Sequence, residues 1–431
     1  MGLEPVVTVW PDRDLRVKAP QHRRERDDLD DGRLGVEGAL SCDNHSIRYG
    51  LLMAKAVLSV QPVSERGGSD QALLRLTRQL CASGWEVHLA LPSPPQLDYS
   101  PATVHIVPMR RISTSHSVAA WLGYAMSWPA SVARLWPLAR RAQLVHTNSL
   151  HSWYGWAAAW LAKKPHVWHA REIVTQSPAA LRLERFLVGR FAVEVLAVSE
   201  AVAAQLPGAN VTVVREEADP AEYFPERAGR ARARLGLDDS VPTAGYVGRL
   251  DTWKGVDVFL EAFAQLQNQR PGVAGVVAGG NVAGKEAYAR DLAQRAAQLG
   301  VRWLGALSGE EAADLLADLD CLVCPSTEPE PWGLSAVEAL ACGTPVAATD
   351  AGGLREVLAG LGREAGVLVP PGDADALATA MGHLLPTSTS ARARRSRPVL
   401  RSGPPPPYPE LFERASRASL ARCPTSPKPT P

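Results

Sequence analysis

The sequence predicts an α/β protein built on two successive doubly wound parallel sheets. Three observations lead there. Short β-rich runs alternate with amphipathic helical stretches from about residue 53 to residue 385. The alternation comes in two series. A turn-rich stretch near 215–240, containing ADPAEYFPERAGR, separates them. Strands that alternate with helices form parallel sheets covered by those helices. Ligands of such sheets bind beyond the carboxyl ends of the strands, so two such sheets facing each other share a cleft.

The first series opens with VLSV at 57–60. Ser69 then starts a helix with Leu73, Leu76 and Leu80 on one face, stopped at Gly84. EVHLAL, LVH (144–146), HVWH (166–169), EVLAV (194–198) and VTVV (211–214) follow as strands, with helical patterns between most of them. The second series opens with TAGYVG at 243–248. Its first helix carries Val256, Phe259, Leu260 and Phe263 at i, i+3, i+4 and i+7. GVVAG, a helix near 286–299, VRWLG, and a helix opened by Ser308 come next. Glu311 stands three residues after Ser308, a capping box. CLVC, a helix after Gly333, TPVAA, GGLREVL, GVLVP and a helix from Asp373 complete the series.

The ends differ from this middle. Residues 1–52 contain the charge-dense stretch QHRRERDDLDDGR, and residues 386–431 hold 11 Pro together with ARARRSR and GPPPP. Such composition buries too little apolar area to offset the entropy of ordering, so both ends are expected to be disordered. The domain reading is therefore an irregular extension over 1–52, a first domain over 53–220, a second over 221–385 and a tail over 386–431.

The chain has 431 residues, is 46% hydrophobic and carries a net charge of +1. That balance makes no whole-chain case for a nucleic-acid partner. No apolar run approaches the roughly 20 residues that span a bilayer, and no N-terminal stretch reads as a secretory signal. A cytoplasmic protein is expected. Cys321 and Cys324 read CxxC within DCLVCP. On a strand, residues three apart point to opposite faces, so these are read as core cysteines of a reducing compartment.

Three segments have the residue types for chemistry. In ERGGSDQALLRL, Gly67 and Gly68 sit between a strand and a helix, where backbone can approach an anion. In YVGRLDTWKG, Arg249 and Lys254 follow a strand end and suit a diphosphate; a solvated pair on a loop is the alternative. In EPWGLSAVEAL, Glu330 and Glu338 flank a turn at Gly333 that opens a helix. The backbone N–H groups of Gly333 and Leu334 suit a phosphate, and Glu338 suits a vicinal diol such as ribose. Both flanks of Glu338 are apolar, and a buried ionised Glu needs a partner.

GRLDTWKG followed by PSTEPEPWGLSAVEALACGTPVAATDAGGLREV resembles the retaining family 4 (group 1) glycosyltransferases, which have the GT-B fold of two facing Rossmann-like domains. The likeness runs over roughly 53–385 and includes GGSDQALLRLTRQLCASGWEV, LVHTNSLHS, PHVWHAREI and LAVSEAV. It implies that Arg249 and Lys254 bind the donor's pyrophosphate and stabilise the departing nucleoside diphosphate. It implies that Glu338 holds the ribose. Glu330 and the backbone at Trp332, Gly333 and Leu334 would meet the transferred sugar and its phosphates. Gly68 would let the first loop approach the donor, His169 would lie near the sugar, and Asp350 to Gly353 would lie toward the nucleotide.

The implied reaction moves a sugar from a nucleoside-diphosphate donor to a hydroxyl, with the anomeric configuration kept. Glu330 is not read as a nucleophile. No metal and no cofactor are expected; the Asp-x-Asp at Asp12 and Asp14, in the atypical N-terminal stretch, is not credited as a metal clamp. A nucleotide-sugar epimerase of the same architecture and an inactive donor-binding scaffold are the alternatives. The acceptor is expected to be a glycan, a glycolipid or a small molecule. Trp121, Trp128 and Trp136 with Arg134, Arg140 and Arg141 suit either packing between helices or peripheral contact with a membrane carrying a lipid-linked acceptor. His146, His151, His166 and His169 cluster in sequence without metal-ligand spacing.

Two departures from the family stand out. VREEADPAEYF replaces a tight turn with the acidic Glu216–Asp219 stretch. The helices that in the family cross back to the first domain find no counterpart after about Leu385, so an incomplete seam between the domains is expected.

Overall fold

The computed structural model describes residues 55–64, 67–110, 118–175, 177–387, 394 and 406–421. The calls on residues 1–52, including Asp12 and Asp14, lie outside them. The first sheet contains β1 (Lys55–Val60), β2 (Trp85–Leu91), β3 (Thr103–Ile106), β4 (Leu144–Thr147), β5 (His166–Ala170), β6 (Glu194–Ala197) and β7 (Val211–Val213). Its order is β3-β2-β1-β4-β5-β6-β7, parallel throughout. The second sheet contains β8 (Thr243–Val247), β9 (Ala274–Ala278), β10 (Arg302–Gly305), β11 (Cys321–Cys324), β12 (Val346–Thr349) and β13 (Gly366–Val369). Its order is β10-β9-β8-β11-β12-β13, again parallel. Each sheet reverses direction once, between β1 and β4 and between β8 and β11. In open α/β sheets the loops after such strands diverge and leave a crevice, the usual place for a ligand.

The periodicities have direct structural counterparts. The helix Gly68–Ala82 buries Leu73, Leu76 and Leu80 completely. The helix Val256–Gln269 does the same with Val256, Phe259, Leu260 and Phe263. Ser308 and Glu311 form the reciprocal capping box of the helix Gly309–Asp318. Cys321 and Cys324 point to opposite faces of their sheet, into two separate apolar clusters.

The tail corrects the expectation of disorder. Residues Tyr408–Ala421 form a helix that crosses back onto the first domain. Tyr408, Leu411, Phe412 and Ala415 are buried against Val57, Leu73, Leu76 and Leu144. Phe412 meets the Trp85 ring edge-on at 6.1 Å. Ion pairs join Lys55 to Glu413 and Arg414 to Glu194. Arg394, within ARARRSR, is among the described residues. Arg394 is fully buried, paired with Asp239 and close to Asp320 (3.5 Å) and Asp318 (3.7 Å). The seam therefore has its crossing helix. Four inward apolar positions suffice to dock it despite the proline-rich composition around them.

Candidate functional site

The site assembles where β8 and β11 diverge. Lys254 comes from the turn after β8 and Glu330 from the loop after β11. The Lys254 ammonium sits 2.6 and 2.7 Å from the two Glu330 oxygens, and Ser326 Oγ donates to the same carboxylate at 2.9 Å. Glu330 is 9% exposed. Its backbone is fixed as well: the Gly353 N–H donates to its carbonyl at 2.7 Å. Gly333 opens the helix Leu334–Ala341 with φ at 98°. A Cβ there would collide with Leu354 and lie 3.8 Å from Glu330 Cγ, so glycine suits both the conformation and the space.

Arg249 lies on the same turn. Its guanidinium is 4.0 Å from Asp251, whose other oxygen is paired with Lys285. Burial pushes the Asp251 carboxyl up, but Lys285 and then Arg249 outweigh it and hold it below the ordinary range. The Tyr246 hydroxyl donates to the Arg249 carbonyl at 2.7 Å. Burial, and next Glu330, drive this phenol well up, with Arg249 opposing. Arg249 and Glu330 thus face one phenol. Three cations, Arg249, Lys254 and Lys285, stand against two carboxylates, Asp251 and Glu330. The surplus is positive and lies near a helix N-terminus, the electrostatics of an anion site.

Glu338 faces the first domain. Arg75, from the helix Gly68–Ala82, places Nη2 at 2.7 Å from its carboxylate. Tyr223 also bonds it. Burial raises the Glu338 carboxyl, and Arg75 and Tyr223 only partly offset that. Gly68 lies against the same helix; a Cβ there would be 3.6 Å from Leu334. Gly68, Leu334 and Glu338 therefore occupy one seam between the domains. The Trp332 indole N–H donates to the Glu216 carbonyl at 2.8 Å, so its side chain also belongs to the seam.

His169 lies near the end of β5. It is fully buried, with ring centroids 5.6 Å from His146 and 5.8 Å from Tyr408. Burial, then Arg171, then His146 hold it well below its ordinary pKa. The alternation of β5 turns His169 to the face that the helix Tyr408–Ala421 covers. It is 0% exposed. Asp350 is half-exposed and pairs with Arg355 at 2.6 Å.

Several residues of the seam have no local signal. Glu216, in the acidic stretch, is buried and pairs with Arg171 at 2.7 Å while accepting from the Tyr408 hydroxyl at 3.1 Å. Arg171 Nε donates to Asn148 Oδ1 at 2.6 Å, and Asn148 donates to Gln61 at 3.0 Å. This polar chain links the loop after β1 to the crossing helix and, through Trp332, to the second domain. Glu356 of the second domain accepts from the Glu200 and Ala201 N–H groups at 3.0 and 2.9 Å, at the start of a helix in the first. Thr175 donates to Glu328 at 3.0 Å. Each is a long-range pairing that only the folded chain brings together.

Among known families, the one described as Glycosyltransferase Family 4 matches residues 66–215, and Glycosyl transferases group 1 matches residues 229–397. The lipopolysaccharide core biosynthesis mannosyltransferase LpsB of Rhizobium meliloti is 30% identical over 239 residues, which is 50% of this chain and 67% of that protein. The D-inositol 3-phosphate glycosyltransferase of Stackebrandtia nassauensis is 36% identical over 193 residues, 43% of each chain. The chain thus spans less than half the length of that relative. Among solved structures, Anabaena Alr3699/HepE in complex with UDP and glucose superposes with a TM-score of 0.64 at 23% identity, over 85% of this chain and 97% of that one. The sucrose-phosphate synthase of Thermosynechococcus elongatus also reaches 0.64, at 22% identity, over 84% and 94%. These structural likenesses establish the two-domain GT-B fold.

Proposed function

The chain belongs to the group 1, family 4 glycosyltransferases, and from that premise we propose that it transfers a sugar from a nucleoside-diphosphate donor to a hydroxyl acceptor, with retention and without a metal ion. The observation that carries this reading is the cationic turn of Arg249 and Lys254, held beside Glu330 and the helix start at Gly333. Cleaving a sugar–phosphate bond builds negative charge on the departing diphosphate. Fixed cations and amide dipoles stabilise that charge without reorganising. They also supply what a metal would otherwise supply, which supports metal independence.

In the structure as it stands, Glu330 and Asp251 occupy these cations. A bound diphosphate competes for Arg249 and Lys254 and frees Glu330 to accept from sugar hydroxyls. Glu338 keeps lone pairs beyond those used by Arg75 and Tyr223, so it can accept from ribose hydroxyls within the seam. The uridine nucleotides named for the Anabaena structure make UDP-sugars the first donors to test. The mannosyl and inositol-phosphate chemistry of the relatives' names suggests sugar or polyol hydroxyls as acceptors, free or lipid-linked.

The test is product analysis with a panel of UDP-, GDP-, ADP- and dTDP-sugars, with and without acceptors and with a chelator. Nucleoside diphosphate release that depends on an acceptor and survives the chelator supports the proposal. An acceptor-independent change in the donor sugar indicates an epimerase instead. Binding without turnover across the panel indicates a scaffold.

A further inference from the structure

The third cation of the site, Lys285, comes from the loop after β9 and not from the turn that carries Arg249 and Lys254. That loop reads GGNVAGK over 279–285 and leads into the helix Glu286–Gln298. It lies directly on the cationic turn. The Leu250 N–H donates to the Gly280 carbonyl at 3.0 Å, and a Cβ on Gly279 would collide with the Gly248 carbonyl oxygen. Glycine at 279 is what lets the two backbones touch.

The Lys285 side chain crosses this contact. Its ammonium is paired with Asp251 and donates to the Thr252 hydroxyl at 3.0 Å. Lys285 immediately precedes a helix, where the dipole disfavours a cation. Its partners on the neighbouring turn hold the charge there. The adjacent acid, Glu286, is occupied locally by the Gly284 N–H at 2.9 Å.

Asp251 is 8% exposed, so its carboxylate needs partners. Lys285 and the Trp253 indole N–H bond it. Arg249 does not. Only Leu250 separates it from Asp251 in sequence. Even so, its Nη2 stands 4.0 Å from the carboxylate, beyond the about 2.7–2.9 Å of a charge-assisted hydrogen bond. Without Lys285, Arg249 would be the nearest cation to a buried carboxylate. A side-chain shift of about 1 Å would close that pair, and a diphosphate would then have to displace it.

We propose that Lys285 is a positioning residue of the diphosphate site: by pairing with Asp251 it keeps Arg249 out of a closed ion pair and turned to the donor's phosphates. The proposal rests on the reading of the turn as a diphosphate grip. Lys285 acts on the donor through Asp251 and Arg249, not by touching it.

The experiment is calorimetric titration of the full chain with whichever of UDP, GDP, ADP and dTDP the parent binds best, beside thermal unfolding. The variants are Lys285→Met, Lys285→Met/Asp251→Asn, Arg249→Ala and Lys285→Met/Arg249→Ala. Lys285→Met should lose about ten-fold or more in affinity. Adding Asp251→Asn should restore it to within about three-fold of the parent, and Lys285→Met should cost under about three-fold in the Arg249→Ala background. The variant with Asp251→Asn holds no unpaired buried carboxylate at 251. It therefore decides the question even if Lys285→Met alone unfolds, because direct contact by Lys285 predicts a loss there too. A lowered melting temperature with parent-like affinity in Lys285→Met shows a merely structural pair and overturns the proposal. So does a loss that Asp251→Asn fails to restore. A parent that binds none of the four nucleotides overturns the diphosphate reading itself, and this inference with it.

Discussion

The guanidinium of Arg75 lies 2.7 Å from the carboxylate of Glu338, so the first helix of one domain meets the motif helix of the other. Both side chains are largely buried, and the pair keeps Glu338 from sitting in the seam as an isolated charge. Removing Arg75 leaves Glu338 with Tyr223 and raises its already elevated pKa further. A protonated Glu338 is a poorer acceptor for the ribose hydroxyls it is proposed to hold. Arg75→Gln should therefore raise the donor KM by about 10–100-fold, the worth of one charged hydrogen bond. Its acid limb of kcat/KM should move to higher pH. Steady-state kinetics over pH 5–8 (roughly the range where raised carboxyls titrate) checks both.

Lys254 has two roles that a double variant separates. Lys254→Ala removes a cation from the proposed leaving group and strands the buried Glu330 carboxylate. Turnover should fall by about one to two orders of magnitude, and stability should fall too. Adding Glu330→Gln should restore much of the melting temperature but none of the turnover. Thermal unfolding beside turnover assays reads the split.

Acid should unfold the first domain early. His146, His166 and His169 are completely buried, and burial depresses all three; His166 is pushed down to about 3. The unfolded chain takes up these protons near pH 6.5, while the folded chain does not. Stability is thus full above about pH 6.5 and falls as pH drops below it. Each histidine contributes about 1.4 kcal/mol per pH unit until its folded pKa is reached. Melting temperature against pH should show this slope, and His166→Gln should flatten it.

The crossing helix should matter to the fold. Phe412 is fully buried against Trp85 and His146. Phe412→Ala should cost about 3–5 kcal/mol in denaturant unfolding. Glu413→Gln, which disturbs only the solvent-facing pairs with Lys55 and Arg417, should cost under about 1 kcal/mol.

How much was readable beforehand divides by range. Local patterns carried over: Leu73, Leu76 and Leu80 do face a core, and Ser308 with Glu311 does cap a helix. Both sheets follow from the alternation of strands and helices. The crossing helix was readable in principle, since Tyr408, Leu411, Phe412 and Ala415 stand at i, i+3, i+4 and i+7. Eleven prolines and the basic run around it masked that signal. Glu216 read as an acid that spoils a turn. It is instead the buried partner of Arg171 and Tyr408, residues 45 and 192 positions away. Nothing local shows that a distant helix covers His169. Arg75 escaped for the same reason: its partner lies 263 residues on.

The central claim is that the turn holding Arg249 and Lys254 grips paired phosphates. Calorimetric titration with UDP, UMP and UDP-glucose, on the parent and on Arg249→Ala, tests it most directly. UDP and UDP-glucose should bind the parent well, UMP should bind it weakly, and Arg249→Ala should lose about ten-fold or more for the diphosphates but little for UMP. Equal affinity for UMP and UDP, or diphosphate binding untouched by Arg249→Ala, would contradict it.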